Sequence, residues 1–206
     1  MNRVIAYIDG FNLYFGLRSK GWKRYYWLDL QQLANALLKP QQGLEAVHYF
    51  TSRIRSDGVN TEDMQRQAAY LEALETRDVV RIHYGHFLER PRQCRQCGSR
   101  WMDYEEKMTD VNIAAQLLAD AHKDRFDIAL LVSGDSDLTT PVQSVRDRFP
   151  DKRVVLAFPP NRRSHQLQQA AHGHLVISET AFRRSQLEPQ VVRGDGFLLN
   201  RPAHWA

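Results

Sequence analysis

Residues 127–142 read DIALLVSGDSDLTTPV. IALLVS at 128–133 is an uninterrupted apolar run of strand length, and a strand without polar alternation must be covered on both faces. Asp135 and Asp137 follow at once in a polar turn, and a helix is expected from about Thr140 to Phe149. Upstream, RVIAYI at 3–8 is a second apolar, β-branched and aromatic run, ending at Asp9-Gly10 as a buried strand entering a turn. Asp29 caps an expected helix through about Leu38, stopped by Pro40. A strand is expected at Ala46–Thr51, a helix from Thr61 to about Thr76 with Glu62 and Asp63 in its first turn, and a strand over VVRIHYGHFL at 79–88. Thr109 opens a helix to about His122, with Val111, Ala114, Ala115, Leu118 and Ala121 on one side. Downstream come a strand RVVLAF at 153–158, a helix near Ser164–Ala171 and a strand LVIS at 175–178.

Strands alternating with helices predict an α/β domain of three layers, a central mostly parallel sheet flanked by helices. One domain is expected over residues 1–184. Beyond Arg184, Pro189, Gly194, Gly196 and Pro202 interrupt any periodicity, so 185–206 reads as an irregular tail, with FLL at 197–199 able to pack on the domain or on a second copy.

A chain of 206 residues is long enough for one sizeable core. A hydrophobic fraction of 43% and a charged fraction of 25% exclude wholesale disorder and fibrous architectures. No segment approaches the roughly 18 apolar residues of a membrane helix, and two cysteines two residues apart suit a reduced compartment. A cytoplasmic location is therefore expected. The net charge of +4 is compatible with a polyanionic partner and equally with simple solubility.

In parallel α/β sheets, ligands sit beyond the carboxyl ends of the strands where strand order reverses. Asp9 follows the first strand, Asp135 and Asp137 follow IALLVS, and Asp110 lies in the first turn of the helix leading into that strand. Each alone is explained as a turn or capping residue. Together they are expected to share one acidic pocket, where crowding would leave some carboxylates protonated unless a cation sits among them. Oxygen donors of this type suit magnesium or manganese. Asn12 and Ser133 are placed to orient water or touch substrate.

YIDGFNLY at 7–14 and EKMTDVNIAAQLLADA…DIALLVSGDSDLTTPV over 106–142 resemble the NYN domain, a PIN-like nuclease group that includes the LabA/DUF88 proteins. The likeness spans about Arg3 to Ser178. It implies a PIN-like three-layer sheet and a metal-dependent endoribonuclease, in which metal-activated water attacks an RNA phosphodiester. By position, the family's acids fall on Asp9, Asp110, Asp135 and Asp137, and its neighbouring polar residues on Asn12 and Ser133. Many members carry a further acid two turns into the central helix, where Gln116 stands here; Asp120 is one turn beyond. Dehalogenase-type phosphatases are disfavoured, because Asp9-Gly10-Phe11-Asn12 lacks their second aspartate. The alternative to catalysis is a weak or inactive module that docks RNA or a protein.

Lys107, Arg162 and Arg163 are candidates to touch phosphate. GLRSKGWKRYYW at 16–27 mixes basic and aromatic residues, which suits either a flap that stacks on single-stranded RNA or a core segment with solvated charges. Cys94 and Cys97 form half of a zinc knuckle; a complete site needs His83 and His86, or a second chain in a homodimer.

Overall fold

A computed structural model describes residues 1–54 and 61–205. In chain order the strands are β1 (Asn2–Asp9), β2 (Gln42–Thr51), β3 (Val80–Tyr84), β4 (His86–Gln93), β5 (Arg100–Lys107), β6 (Ile128–Val132), β7 (Arg153–Phe158), β8 (Gly173–Val176), β9 (Gln190–Val192) and β10 (Leu198–Asn200). The α-helices are α1 (Gly10–Ser19), α2 (Leu30–Leu37), α3 (Thr61–Glu75), α4 (Thr109–His122), α5 (Thr139–Arg148), α6 (His165–Ala170) and α7 (Glu179–Arg184). Six strands form one parallel sheet in the order β3-β2-β1-β6-β7-β8. Chain order steps outward from β1 in one direction through β2 and β3 and in the other through β6, β7 and β8. The switch point lies between β1 and β6, which pair from Val4–Ile128 to Ile8–Val132.

The two-residue period of a strand sends alternate side chains of β1 into two different cores. Val4, Ala6 and Ile8 join Leu13, Leu33, Leu71, Leu74 and Phe182 under α1, α2, α3 and α7. Ile5 and Tyr7 join Ile113, Leu117, Val142, Val145 and Leu167 under α4, α5 and α6. This produces the three layers expected of the sequence. Among the described residues no helix is long and apolar enough to cross a membrane.

Three parts of the sequence reading change. GFNLYFGLRS is helix α1, with Asp9 as its N-cap accepting from the Asn12 amide; the turn signal at Asp9-Gly10 is the helix start itself. VVRIHYGHFL is split: β3 belongs to the parallel sheet, whereas β4 turns away and pairs antiparallel with β5, from His86–Lys107 to Gln93–Arg100. The stretch 185–206, expected as an irregular tail, is ordered over its described residues 185–205. β9 and β10 form an antiparallel hairpin, Val191 and Leu199 are buried, and Phe197 and Leu198 stay exposed. The tail is seated by Trp27, whose indole N–H donates to the Glu188 carbonyl at 2.8 Å and whose ring lies 6.4 Å from that of Trp205.

Residues 16–27 divide between the core and the surface, with Arg18, Lys20 and Lys23 exposed. Trp27 and Tyr25 are buried, and Trp22 packs edge-on against Phe182 at 6.0 Å. Arg24 faces outward, bonded to Glu179 at 2.8 Å. A row of polar side chains also crosses the α4 face of the sheet. Asp120 accepts from the Tyr7 hydroxyl and from Gln116 Nε2, each at 2.9 Å, and lies 3.4 Å from His48 Nε2. Burial pushes this carboxyl up, but hydrogen bonds from His48, Gln116 and Tyr7 outweigh it and hold it at about 2. A depressed carboxylate stabilises the fold above its unfolded value near 4 and loses that contribution as pH falls toward the folded value. Acid titration of the melting temperature should therefore show an Asp120-dependent loss of roughly 2 kcal/mol between about pH 4 and pH 2. Asp120→Asn should flatten that limb; an unchanged limb would rule out this assignment.

Candidate active site

The carboxyl ends of β1 and β6 bring Asp9 and the SGDSD turn together. Asp9 is 2% exposed, and both of its oxygens are engaged. Oδ1 accepts from the Asn12 amide at 2.9 Å; Oδ2 accepts from Asn12 Nδ2 at 2.7 Å and from the Ser133 hydroxyl at 2.8 Å. Asn12 Oδ1 accepts in turn from the Gly134 amide at 3.2 Å, and Ser133 Oγ accepts from the Asp135 amide at 3.1 Å. Helix α1 and the turn after β6 are thus tied together through one carboxylate. Burial pushes the Asp9 carboxyl upward against the pull of these hydrogen bonds, and the neighbouring Asp135 charge pushes the same way.

Asp135 caps the short Ser136–Leu138 turn, its Oδ1 accepting from the Asp137 amide at 3.0 Å. Asp137 itself is exposed. Asp110 enters from the first turn of α4, a helix that packs against β1 and the Ser136–Leu138 turn, and it has interaction partners of its own, as does Lys107 at the end of β5. The structure therefore brings Asp9 and Asp135 into one hydrogen-bonded unit and sets Asp137 and Asp110 on elements around it. A closed cage is not formed: among the described residues no three His, Cys, Asp or Glu side chains converge to hold an ion. Both Asp9 oxygens are taken by backbone and side-chain donors, and Asp135 Oδ1 is taken by the Asp137 amide.

Gly134 fixes where the basic residues stand. A Cβ built there would lie 2.6 Å from the Arg162 carbonyl carbon and oxygen and 2.9 Å from the Arg163 nitrogen. The 159–164 loop thus presses its backbone directly onto the acidic turn. From that loop the Arg162 guanidinium lies 5.5 Å from the Phe15 ring on α1, and Arg163 donates twice to Gln168 at 2.7 and 2.9 Å. Gly134→Ala should force the two loops apart, costing about 1–3 kcal/mol, the range for overpacking a tight contact. Denaturant unfolding measures this, and a cost below a few tenths would mean the loops do not touch.

Residues 3–179 match the NYN domain. The chain belongs to the NYN domain family. It is also similar to 6-hydroxy-3-succinoylpyridine 3-monooxygenase HspA of Pseudomonas putida (strain DSM 28022 / S16), at 29% identity over 76% of this chain. This chain spans 59% of the length of that relative. Among solved structures, a protein of unknown function from Vibrio parahaemolyticus shares the fold, with a TM-score of 0.52 and 19% identity over 86% of this chain and 94% of the other. The fold is thus that of the PIN-like nuclease superfamily, which generally uses divalent metals.

Two further expectations meet the NYN structure differently. Gln116 is absorbed into the Asp120 network rather than pointing an amide at Asp9. Cys94 and Cys97 sit at the tip of the β4–β5 hairpin, where the Cys94 amide donates to the Ser99 carbonyl and the Gly98 amide to the Cys94 carbonyl. Hydrogen bonding to Ser99 lowers the Cys97 thiol to about 7. His83 cannot complete a zinc site there, because it sits on β3, 2.7 Å from His48 and stacked on Phe50. His86 begins β4, roughly 26 Å of extended chain away from Cys94. The single-chain cysteine–histidine site is therefore not assembled.

Proposed function

We propose that this NYN domain is a metal-dependent ribonuclease that hydrolyses RNA phosphodiester bonds with water as the nucleophile. The observation that carries the reading is the buried Asp9 carboxylate, held beside Asp135 at the sheet's switch point. Two adjacent carboxylates with flanking oxygen donors fit magnesium or manganese, since such ions commonly use only one or two protein carboxylates and keep several waters. Asp9 and Asp135 would hold the ion, with Asp110 and Asp137 as further donors; when bound, it supplies Lewis acidity toward water and the scissile phosphate. The chain's own residues do the positioning. Asn12 and Ser133 lock the Asp9 carboxylate in one orientation, and Arg162 and Arg163 set positive charge beside the acidic turn to meet the phosphate backbone.

The test is incubation of purified protein with single-stranded RNA or DNA, with manganese or magnesium or with chelator. Metal-dependent cleavage of RNA is expected, abolished by chelator. RNA binding without cleavage would replace the enzyme by a docking module. The Pseudomonas relative's name supports a competing reading, in which the domain binds a small heteroaromatic acid; tight binding of such an acid with no affinity for RNA would favour it.

A further inference from the structure

A cavity of about 480 Å³ opens between α1, the end of β2, α3 and the C-terminal segment. Its nearest wall to the acidic site is Gly10, the residue after Asp9. A Cβ on Gly10 would lie 2.9 Å from both Tyr49 Cε2 and the Tyr49 hydroxyl, so the glycine leaves room for the tyrosine between cavity and carboxylate. Cavity and acidic centre therefore share a wall.

The lining has the chemistry of a site for a flat ring with polar edges. Phe11, Tyr14, Phe15, Tyr26 and Trp205 supply aromatic surface. Tyr14 and Phe15 are partly exposed at the side facing α1's solvent edge, with ring centroids 5.3 Å apart. One polar atom on this lining, Ser52 Oγ, is buried and has no hydrogen-bond partner among the described residues. Ser52 is 1% exposed. An orphaned buried hydroxyl costs about 1–3 kcal/mol unless something fills it, and a polar ring edge would. Arg18 and Lys23 bring positive charge to the same cavity, and Arg162 over Phe15 continues that charge toward the acidic turn. A polyanion bearing flat polar rings matches all of these.

We propose that this cavity receives one nucleobase of the strand being cut, so that the substrate must be unpaired at that position. The inference deepens the ribonuclease reading and rests on it. A base held in a duplex cannot leave its stack without paying for unpairing, whereas a single strand offers its bases freely to aromatic surfaces. The cavity therefore selects single-stranded RNA through insertion of a base, and the phosphate next to that base is delivered to Asp9 and Asp135.

The test measures binding in chelator, where no cleavage occurs, by fluorescence anisotropy of a short single-stranded RNA carrying an abasic ribose at each position in turn. One position should stand out, its abasic form binding roughly 10- to 100-fold more weakly. Tyr14→Ala, at a partly exposed ring, and Ser52→Ala should weaken the intact strand and flatten that positional dependence, with melting temperatures read in parallel to show that both variants are folded. Equal sensitivity at every position, no binding at all, or variants with the wild-type profile would overturn the proposal. Saturation by hydroxynicotinate without competition from RNA would also overturn it and assign the cavity to a small heteroaromatic acid. Failure of the ribonuclease reading looks different: the strand would be gripped at one base and left uncut with manganese.

Discussion

Asp135→Asn should slow metal-dependent RNA cleavage by at least roughly 100-fold, the scale on which a group that stabilises developing charge acts, while leaving the melting temperature almost unchanged. The structural part of Asp135 is one acceptor, Oδ1, for the Asp137 amide, and asparagine keeps that oxygen. Only the charge is lost. Asp9→Asn should match the catalytic defect and add a folding defect of about 1–3 kcal/mol, because the hydrogen bonds around Asp9 have a fixed direction. The Gly134 amide donates to Asn12 Oδ1, and Asn12 Nδ2 donates to Asp9 Oδ2. An amide at position 9 sets its NH2 against the Asn12 backbone N–H in one orientation and against Asn12 Nδ2 in the other, and flipping the Asn12 side chain repairs only the second, by breaking the bond from Gly134. Single-turnover kinetics with thermal melts separate the two variants. Wild-type cleavage by Asp135→Asn would remove this residue from the mechanism.

Trp27→Ala should be the most destabilising single change in the chain's first third, at about 3–5 kcal/mol. The indole is fully buried, lies 6.1 Å from Tyr70 and 6.4 Å from Trp205, and donates to the Glu188 carbonyl. Around it the backbone of 27–29 is stitched to 185–187, through the Asp29 amide to the Ser185 carbonyl and the Leu187 amide to the Trp27 carbonyl. Truncation removes a large core ring and the donor to the Glu188 carbonyl together. The expected fall in melting temperature is roughly 6–20 °C for a domain of this size. Limited proteolysis should cut between 185 and 205 before it reaches the sheet. A fall of only a degree or two would show that the C-terminal segment is not held by this ring.

The parallel sheet was legible because its strands are apolar on both faces, as in IALLVS and RVIAYI, and because caps such as Asp29 and Ser164 stand where helices begin. Helix α1 was hidden since its first residue is glycine and its cap, Asp9, also reads as a candidate site residue. The β4–β5 pair was illegible because its residues alternate weakly and are rich in arginine, so no apolar period marks where β3 stops. The tail misled through its glycines and prolines, which mark turns of a real hairpin seated by one distant tryptophan. Within the site, nearness in the fold followed from strand ends alone, whereas the role of Gly134 required the Arg162 loop to be seen against it. The aromatic cavity draws on residues from five separate stretches, and no local pattern announces such an assembly.

The β4–β5 hairpin is inserted between the third strand of the sheet and the helix that carries Asp110, and neither hydrophobic cluster includes any of its described side chains. It touches the body through Phe87 against Phe11, on the rim of the aromatic cavity. The described side chains that build the two cores thus lie outside this arm. Selection can lengthen, recharge or replace this arm while the sheet and the Asp9 hydrogen-bond unit stay fixed, and an engineer can graft a different recognition element between His86 and Lys107 for the same reason.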